Sequence, residues 1–206
     1  MRMAAGLAVL MGMPIALAAQ AKAEFIPFVG LYLPAASIVD ESGVTLKHNT
    51  TFVFGLRLGL QVTDRVGVEG SFGYTPSGVT ISAAGIGSAD TAARVILASG
   101  RVLFGVGPRT GSTAWHVLAG LSVVAHGGDA YDLLQAGAGS LSGATDIGMV
   151  VGVGGKFKIG SSLAVRVDVE DNLYSAKFNL GGANSQSKFQ NDVVASMGLV
   201  IRLGGK

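Results

Sequence analysis

The sequence predicts an all-β fold, an eight-stranded antiparallel up-and-down transmembrane β-barrel. Three observations predict it. Apolar residues alternate with small or polar ones along many short runs. The connections between those runs alternate between short and long. Mean hydropathy is high, +0.51, with only 14% charged residues, yet past the N-terminal segment no run is long and apolar enough to cross a bilayer as a helix.

The first residues are read as a targeting segment. Met1, Arg2 and Met3 form a short basic start, Ala4 to Ala18 an apolar stretch, and Ala21-Lys22-Ala23 a small-x-small site. That is the layout of a cleaved signal peptide over 1–23. The barrel domain is then 24–206. Pro14 interrupts the apolar stretch, which is short for a membrane anchor. Removing Arg2 and Lys22 lowers the Lys plus Arg count from 15 to 13, equal to the 13 acidic residues. A neutral mature chain gives no electrostatic support to a nucleic-acid partner. There is no cysteine, so neither a lipid anchor on cysteine nor a disulfide framework is available.

The clearest strand runs from Thr51 to Val62. Every even position from Phe52 to Val62 is apolar, while Gly55, Arg57, Gly59 and Gln61 occupy the odd ones. Period two means a strand with two unlike faces. Comparable runs occupy 25–34, 50–62, 66–75, 94–106, 113–125, 145–159, 163–175 and 192–203. Thr63-Asp64-Arg65, Gly107 to Gly111 and Gly160-Ser161-Ser162 are short connections. The stretches 35–49, 76–93, 126–144 and 176–191 are long and rich in Gly, Ser, Ala, Asn and Asp. Short turns at one rim and long loops at the other is the layout of a membrane barrel, with both termini on the turn side.

Composition decides which face points outward. The second set reads Gly67, Glu69, Ser71, Gly73 on one strand and Asp146, Gly148, Val150, Gly152, Gly154, Lys156 and Lys158 on another, mostly tiny residues with scattered charges. Glycine weakens a strand, so a solvated face gains nothing from being so small. A narrow lumen, which side chains must fill, requires it. The opposite set, such as Ile147, Met149, Val151 and Val153, is uniformly apolar, as a lipid-facing surface is. Aromatics on that parity fall near strand ends: Phe104, Trp115 and Phe157 toward the turns, Phe52, Phe72 and Tyr74 toward the loops. Two such girdles mark the membrane interfaces.

The inward parity carries Arg57, Glu69, Arg101, Lys156, Lys158, Arg166, Asp168, Glu170 and Arg202. Arg57 and Glu69 sit diagonally across Thr63-Asp64-Arg65, within reach of each other. Lys156 is placed near Arg166 and Asp168 across the turn at Gly160. Ions in a narrow lumen must be paired or hydrated. They form either an internal salt-bridge plug or the constriction of a small pore; eight strands leave little open cross-section, which favours the plug.

Nothing in the chain argues for an enzyme. His48 falls in a long loop, His116 near a turn-side strand end, and His126 at a loop-side end beside Asp129, read as a solvated loop histidine. No serine sits in a nucleophile motif and no spacing matches a metal site, so neither cofactor nor metal is expected. Asn49-Thr50-Thr51 fits a glycosylation pattern, which means little if the protein is bacterial, and Asp129 to Gly143 reads as a loop. A lipid-active enzyme using His126 and a soluble ligand-binding barrel are the remaining alternatives.

The chain resembles the small eight-stranded class of bacterial outer-membrane β-barrels, similar in plan to the transmembrane barrel of outer-membrane protein A. The stretches Leu163 to Tyr174 and Met197 to Leu203 carry the resemblance. The second resembles the signal read by the barrel-assembly machinery, in Gly198, Ile201 and Leu203. It departs from that pattern at Met197 and in ending Gly204-Gly205-Lys206 without a terminal aromatic. The resemblance implies an outer-membrane location, lipids and the assembly machinery as partners, and a monomer. No peptidoglycan-binding module is expected after the last strand.

Overall fold

The computed structural model describes residues 22–35, 39–41, 44–83, 87–107, 112–128, 145–178 and 186–203. Ten strands are present among them: β1 (Lys22–Pro34), β2 (Val39–Glu41), β3 (Val44–His48), β4 (Thr51–Gln61), β5 (Val66–Ala83), β6 (Gly87–Val106), β7 (Thr113–Gly127), β8 (Thr145–Lys158), β9 (Leu163–Phe178) and β10 (Gln186–Leu203). Eight of them, β1 and β4 to β10, form a closed antiparallel barrel with each strand beside its chain neighbour. The last strand pairs the first, from Ala23↔Leu203 to Pro34↔Asp192. Closure leaves no sheet edge along the wall, so its backbone groups pair between strands away from water; the β1–β10 seam is interrupted only at Ile26 and Pro27.

The alternation sets the two faces as composition predicts. On β4 Val53 and Arg57 are buried while Phe52, Phe54, Leu56, Leu58 and Leu60 are exposed. Phe52 is 71% and Ile147 77% exposed, values that only a non-aqueous surround makes economical for such side chains. The turn after β4 closes locally: Thr63 Oγ1 accepts hydrogen bonds from the backbone N–H of Arg65 (3.2 Å) and Val66 (3.0 Å). Gly107, leaving β6, has φ +75°, a left-handed conformation that suits glycine.

The long connections differ from expectation in one respect. The stretch 76–93, read as a loop, continues β5 and β6 as a hairpin, paired from Pro76↔Arg94 to Ala83↔Gly87. Within 35–49, β3 pairs the extended part of β5 (Val44↔Ala83 to His48↔Val79), and β2 pairs β3. The last hairpin likewise lengthens, to Gln186↔Phe178. Glycine, serine and alanine hide these strands because they carry little hydrophobic contrast, although Val79, Ile81 and Ala83 alternate. The structure therefore projects a small sheet beyond the loop-side rim. Residues 1–21, the stretch Asp129 to Gly143 and Gly204 to Lys206 lie outside the described residues; β1 starts at Lys22, two residues ahead of the expected cleavage point.

Candidate functional site

The lumen holds every large inward side chain, and the inward glycines make room for them. A Cβ at Gly154 would overlap Asp168 Oδ1 and the His116 ring. One at Gly55 would meet the Phe28 ring at 2.8 Å, and one at Gly73 would meet it at 3.5 Å. Phe28 in turn lies under the Arg57 guanidinium, with Cζ 4.1 Å from the ring centroid, a cation–π contact in a desolvated site.

Around this ring the charges close a network across the barrel. Arg57 Nη1 donates to Asp168 Oδ2 (2.7 Å) and Nη2 to Glu170 Oε1 (2.6 Å) and Ser196 Oγ (2.9 Å). Arg101 Nη1 donates to Glu170 Oε2 at 2.6 Å, and its Nε to Glu69 Oε1 at 2.8 Å. Arg166 Nη1 donates to Glu69 Oε2 at 2.6 Å, and its Nε to Asp168 Oδ1 at 3.0 Å. All six groups are buried. Three guanidiniums face three carboxylates, so the cluster is neutral as a whole, the condition for tolerating ions in a dry interior. His116 Nε2 completes it, 2.8 Å from Asp168 Oδ1; a carboxylate only accepts, so the imidazole N–H donates.

Two of the pairings expected from the sequence need correction. Arg57 and Glu69 do share a face on adjacent strands, through Arg57↔Ser71 and Gly59↔Glu69. They do not pair with each other: Glu69 takes Arg101, its direct partner on the neighbouring strand, and Arg166 from the far wall, while Arg57 reaches Asp168 and Glu170 across the lumen. Lys156 stands directly opposite Arg166 but turns toward the rim, where Nζ lies 2.6 Å from Glu24 Oε2. It is outside the network, as are the exposed Lys158 and the half-buried Arg202, whose Nη1 donates to the Ser161 carbonyl. His116 joins the lumen although its place near a strand end suggests the rim; His116, Leu118, Ser122 and Val124 share the buried parity of β7.

Toward the loops the network gives way to an apolar layer of Phe28, Tyr32, Val53, Val95, Val124, Tyr174 and Val194. Above it Asp192 is held by two phenols, Tyr32 (2.7 Å) and Tyr174 (2.8 Å). His126 does not stand free in solvent: its Nε2 is 3.3 Å from the Tyr174 hydroxyl. Asp129 and the side chain of His48 lie outside the described residues. No group of three metal-ligating side chains occurs among the described residues. Toward the turns the lumen opens into a cavity of about 780 Å³ whose floor includes Glu69 and His116.

The six aromatics of the two girdles all lie on the outer surface, but not as even rings. Trp115 and Phe157 meet edge to face (5.8 Å) over Gly155, and Phe104 is exposed nearby on β6. Phe52 and Phe72 are exposed on β4 and β5, and Tyr74 packs against Phe54 at 5.5 Å, a residue not predicted for the girdle.

A closed eight-stranded barrel, apolar outside and filled inside by paired charges, defines a small membrane β-barrel protein. The chain belongs to the outer membrane protein beta-barrel domain family, whose pattern it matches over residues 5–201. No curated protein sequence matches it. Among solved structures it is similar to OprG of Pseudomonas aeruginosa, with TM-score 0.63 and 14% identity over 90% of this chain and 98% of that one. It is also similar to Neisserial surface protein A (TM-score 0.60, 13% identity, 88% and 99% covered). Outer Membrane Protein W of E. coli gives TM-score 0.57 and 22% identity, with 89% and 98% covered. At these identities the likeness shows the fold alone.

Proposed function

We propose that this protein is a non-enzymatic outer-membrane barrel with a structural or surface-interaction role, its lumen sealed by the charge network. The observation that carries this reading is the chain of Arg57, Asp168, Arg166, Glu69, Arg101 and Glu170, which joins strands on opposite sides of the wall. Side chains so tightly paired leave no hydrated file for ions at that level. The paired strands that extend past the loop-side rim supply a platform for contacts outside the cell, and one protein of the same fold is named for the bacterial surface. The proposed partners are outer-membrane lipids, met by the exposed apolar band, and the barrel-assembly machinery during biogenesis. The proposed oligomeric state is a monomer.

A second reading, a narrow channel for ions or small solutes, draws on the turn-side cavity, which leaves the network and the apolar layer above it as the barrier. The surface role is tested by fractionation, gel migration with and without heating, and proteolysis of intact cells. The expected result is a heat-modifiable outer-membrane protein trimmed from outside at its loops. A protein extracted in plain buffer as a soluble monomer contradicts it.

A further inference from the structure

Charge is unevenly placed around the turn-side cavity. Its wall carries Arg65, Lys156, Lys158 and Arg202 against the acids Glu24 and Asp64. Lys22 adds to the excess, but it falls in the segment read as a signal peptide. Glu24 serves two of these cations at once, with Lys156 Nζ at 2.6 Å and Arg202 Nε at 3.9 Å. The carboxylate of Glu69 in the floor offers no compensation upward, since Arg101 and Arg166 already hold it at 2.7 and 2.6 Å. Arg65 and Lys158 are exposed, and their side chains have no acceptor among the described residues. The network below is neutral, so the excess positive charge belongs to the cavity itself. A concave site with low-dielectric walls focuses such a field on whatever enters.

We infer that the turn-side cavity is a binding site for small organic anions bearing phosphate or carboxylate groups, entering from the periplasmic side. The volume, about 780 Å³, is that of an ordinary small-molecule site. Arg65 and Lys158 reach the anion from the rim. Lys156 and Arg202 stand deeper, beside Glu24. The His116 edge that lines the floor contributes a polar end wall. The site lies wholly on the turn side of the charge network, so it stands whether or not the lumen conducts.

The test uses the full mature barrel in detergent micelles, titrated with inorganic pyrophosphate and with citrate by calorimetry at low and at moderate salt. Saturable binding of either probe, weakened by salt, is expected. Arg65→Gln with Lys158→Gln is expected to lower affinity about tenfold or more, since each removes a charge-assisted contact. Arg94→Gln, exposed near the loop-side rim, is expected to change nothing. Heat-modifiable migration of each variant confirms that it is folded. Absence of saturable binding, equal affinity in the Arg65/Lys158 double variant, or an equal loss in Arg94→Gln overturns the inference.

Discussion

Arg166 on β9 and Glu69 on β5 meet across the barrel, Nη1 to Oε2 at 2.6 Å, although their strands are four apart in either direction around the wall. The pair is a strut across the diameter. With the Arg57–Asp168, Arg57–Glu170 and Arg101–Glu170 pairs it adds cross-lumen struts to a wall built on hydrogen bonds between neighbouring strands. Because Arg101 also holds Glu69 and Arg166 also holds Asp168, each end of the strut is anchored to a second ion of the network.

Removing one end should cost more than removing both. Glu69→Gln leaves Arg101 and Arg166 short of a counter-charge in a dry interior, a loss of about 3–5 kcal/mol for a broken buried pair. Replacing Glu69 and Arg166 together by leucine and methionine leaves Arg57 and Arg101 balanced by Asp168 and Glu170. Urea unfolding in lipid vesicles should place the double variant closer to the wild type than Glu69→Gln.

Glycine at 154 is required by volume. Its added Cβ would collide with the Asp168–His116 contact, so Gly154→Ala should destabilise the barrel by roughly 1–3 kcal/mol, the range for overpacking. Gly100 also lies in a strand, but an added Cβ there has nothing within 4 Å. Gly100→Ala, followed by the same unfolding assay, should be near neutral.

Depth on the outer face should show in charge tolerance. Val153 is 57% exposed in the middle of β8, so Val153→Arg should cost about 2–4 kcal/mol, as arginine does near the bilayer midplane. Lys158→Glu at the turn-side rim should cost little. A similar penalty at both positions would argue that no apolar slab surrounds the barrel.

An epitope inserted between Ala83 and Gly87, at the tip of the β5–β6 hairpin, should be reached by antibody on intact cells. The same epitope inserted after Ser161 should be reached only after the outer membrane is opened.

What the sequence made legible follows from the range of the physics involved. Alternation is local, and it assigned Phe52, Leu56 and Leu60 to the outside and Arg57, Glu69 and Arg101 to the inside. The tight turn at Thr63-Asp64-Arg65 was legible for the same reason. Partner choice within the lumen is not local. It depends on stagger and on side-chain reach across the diameter, so Arg57 was paired with its neighbour Glu69 when it binds Asp168 and Glu170. Lys156 is placed by register beside Arg166 and Asp168 and instead takes Glu24, which chain order keeps remote. His116 was readable from parity and was passed over because its strand-end position suggested the rim. The hairpin extension from 76 to 93 was hidden by residues too small to show an amphipathic face.

The most direct test of the central claim, a lumen sealed by the buried network, is single-channel recording of the purified barrel in planar bilayers. The wild type is expected to be silent under conditions in which Glu69→Ala, which unseats Arg101 and Arg166, yields transient steps. Regular, long-lived conductance steps from the wild-type barrel would contradict it.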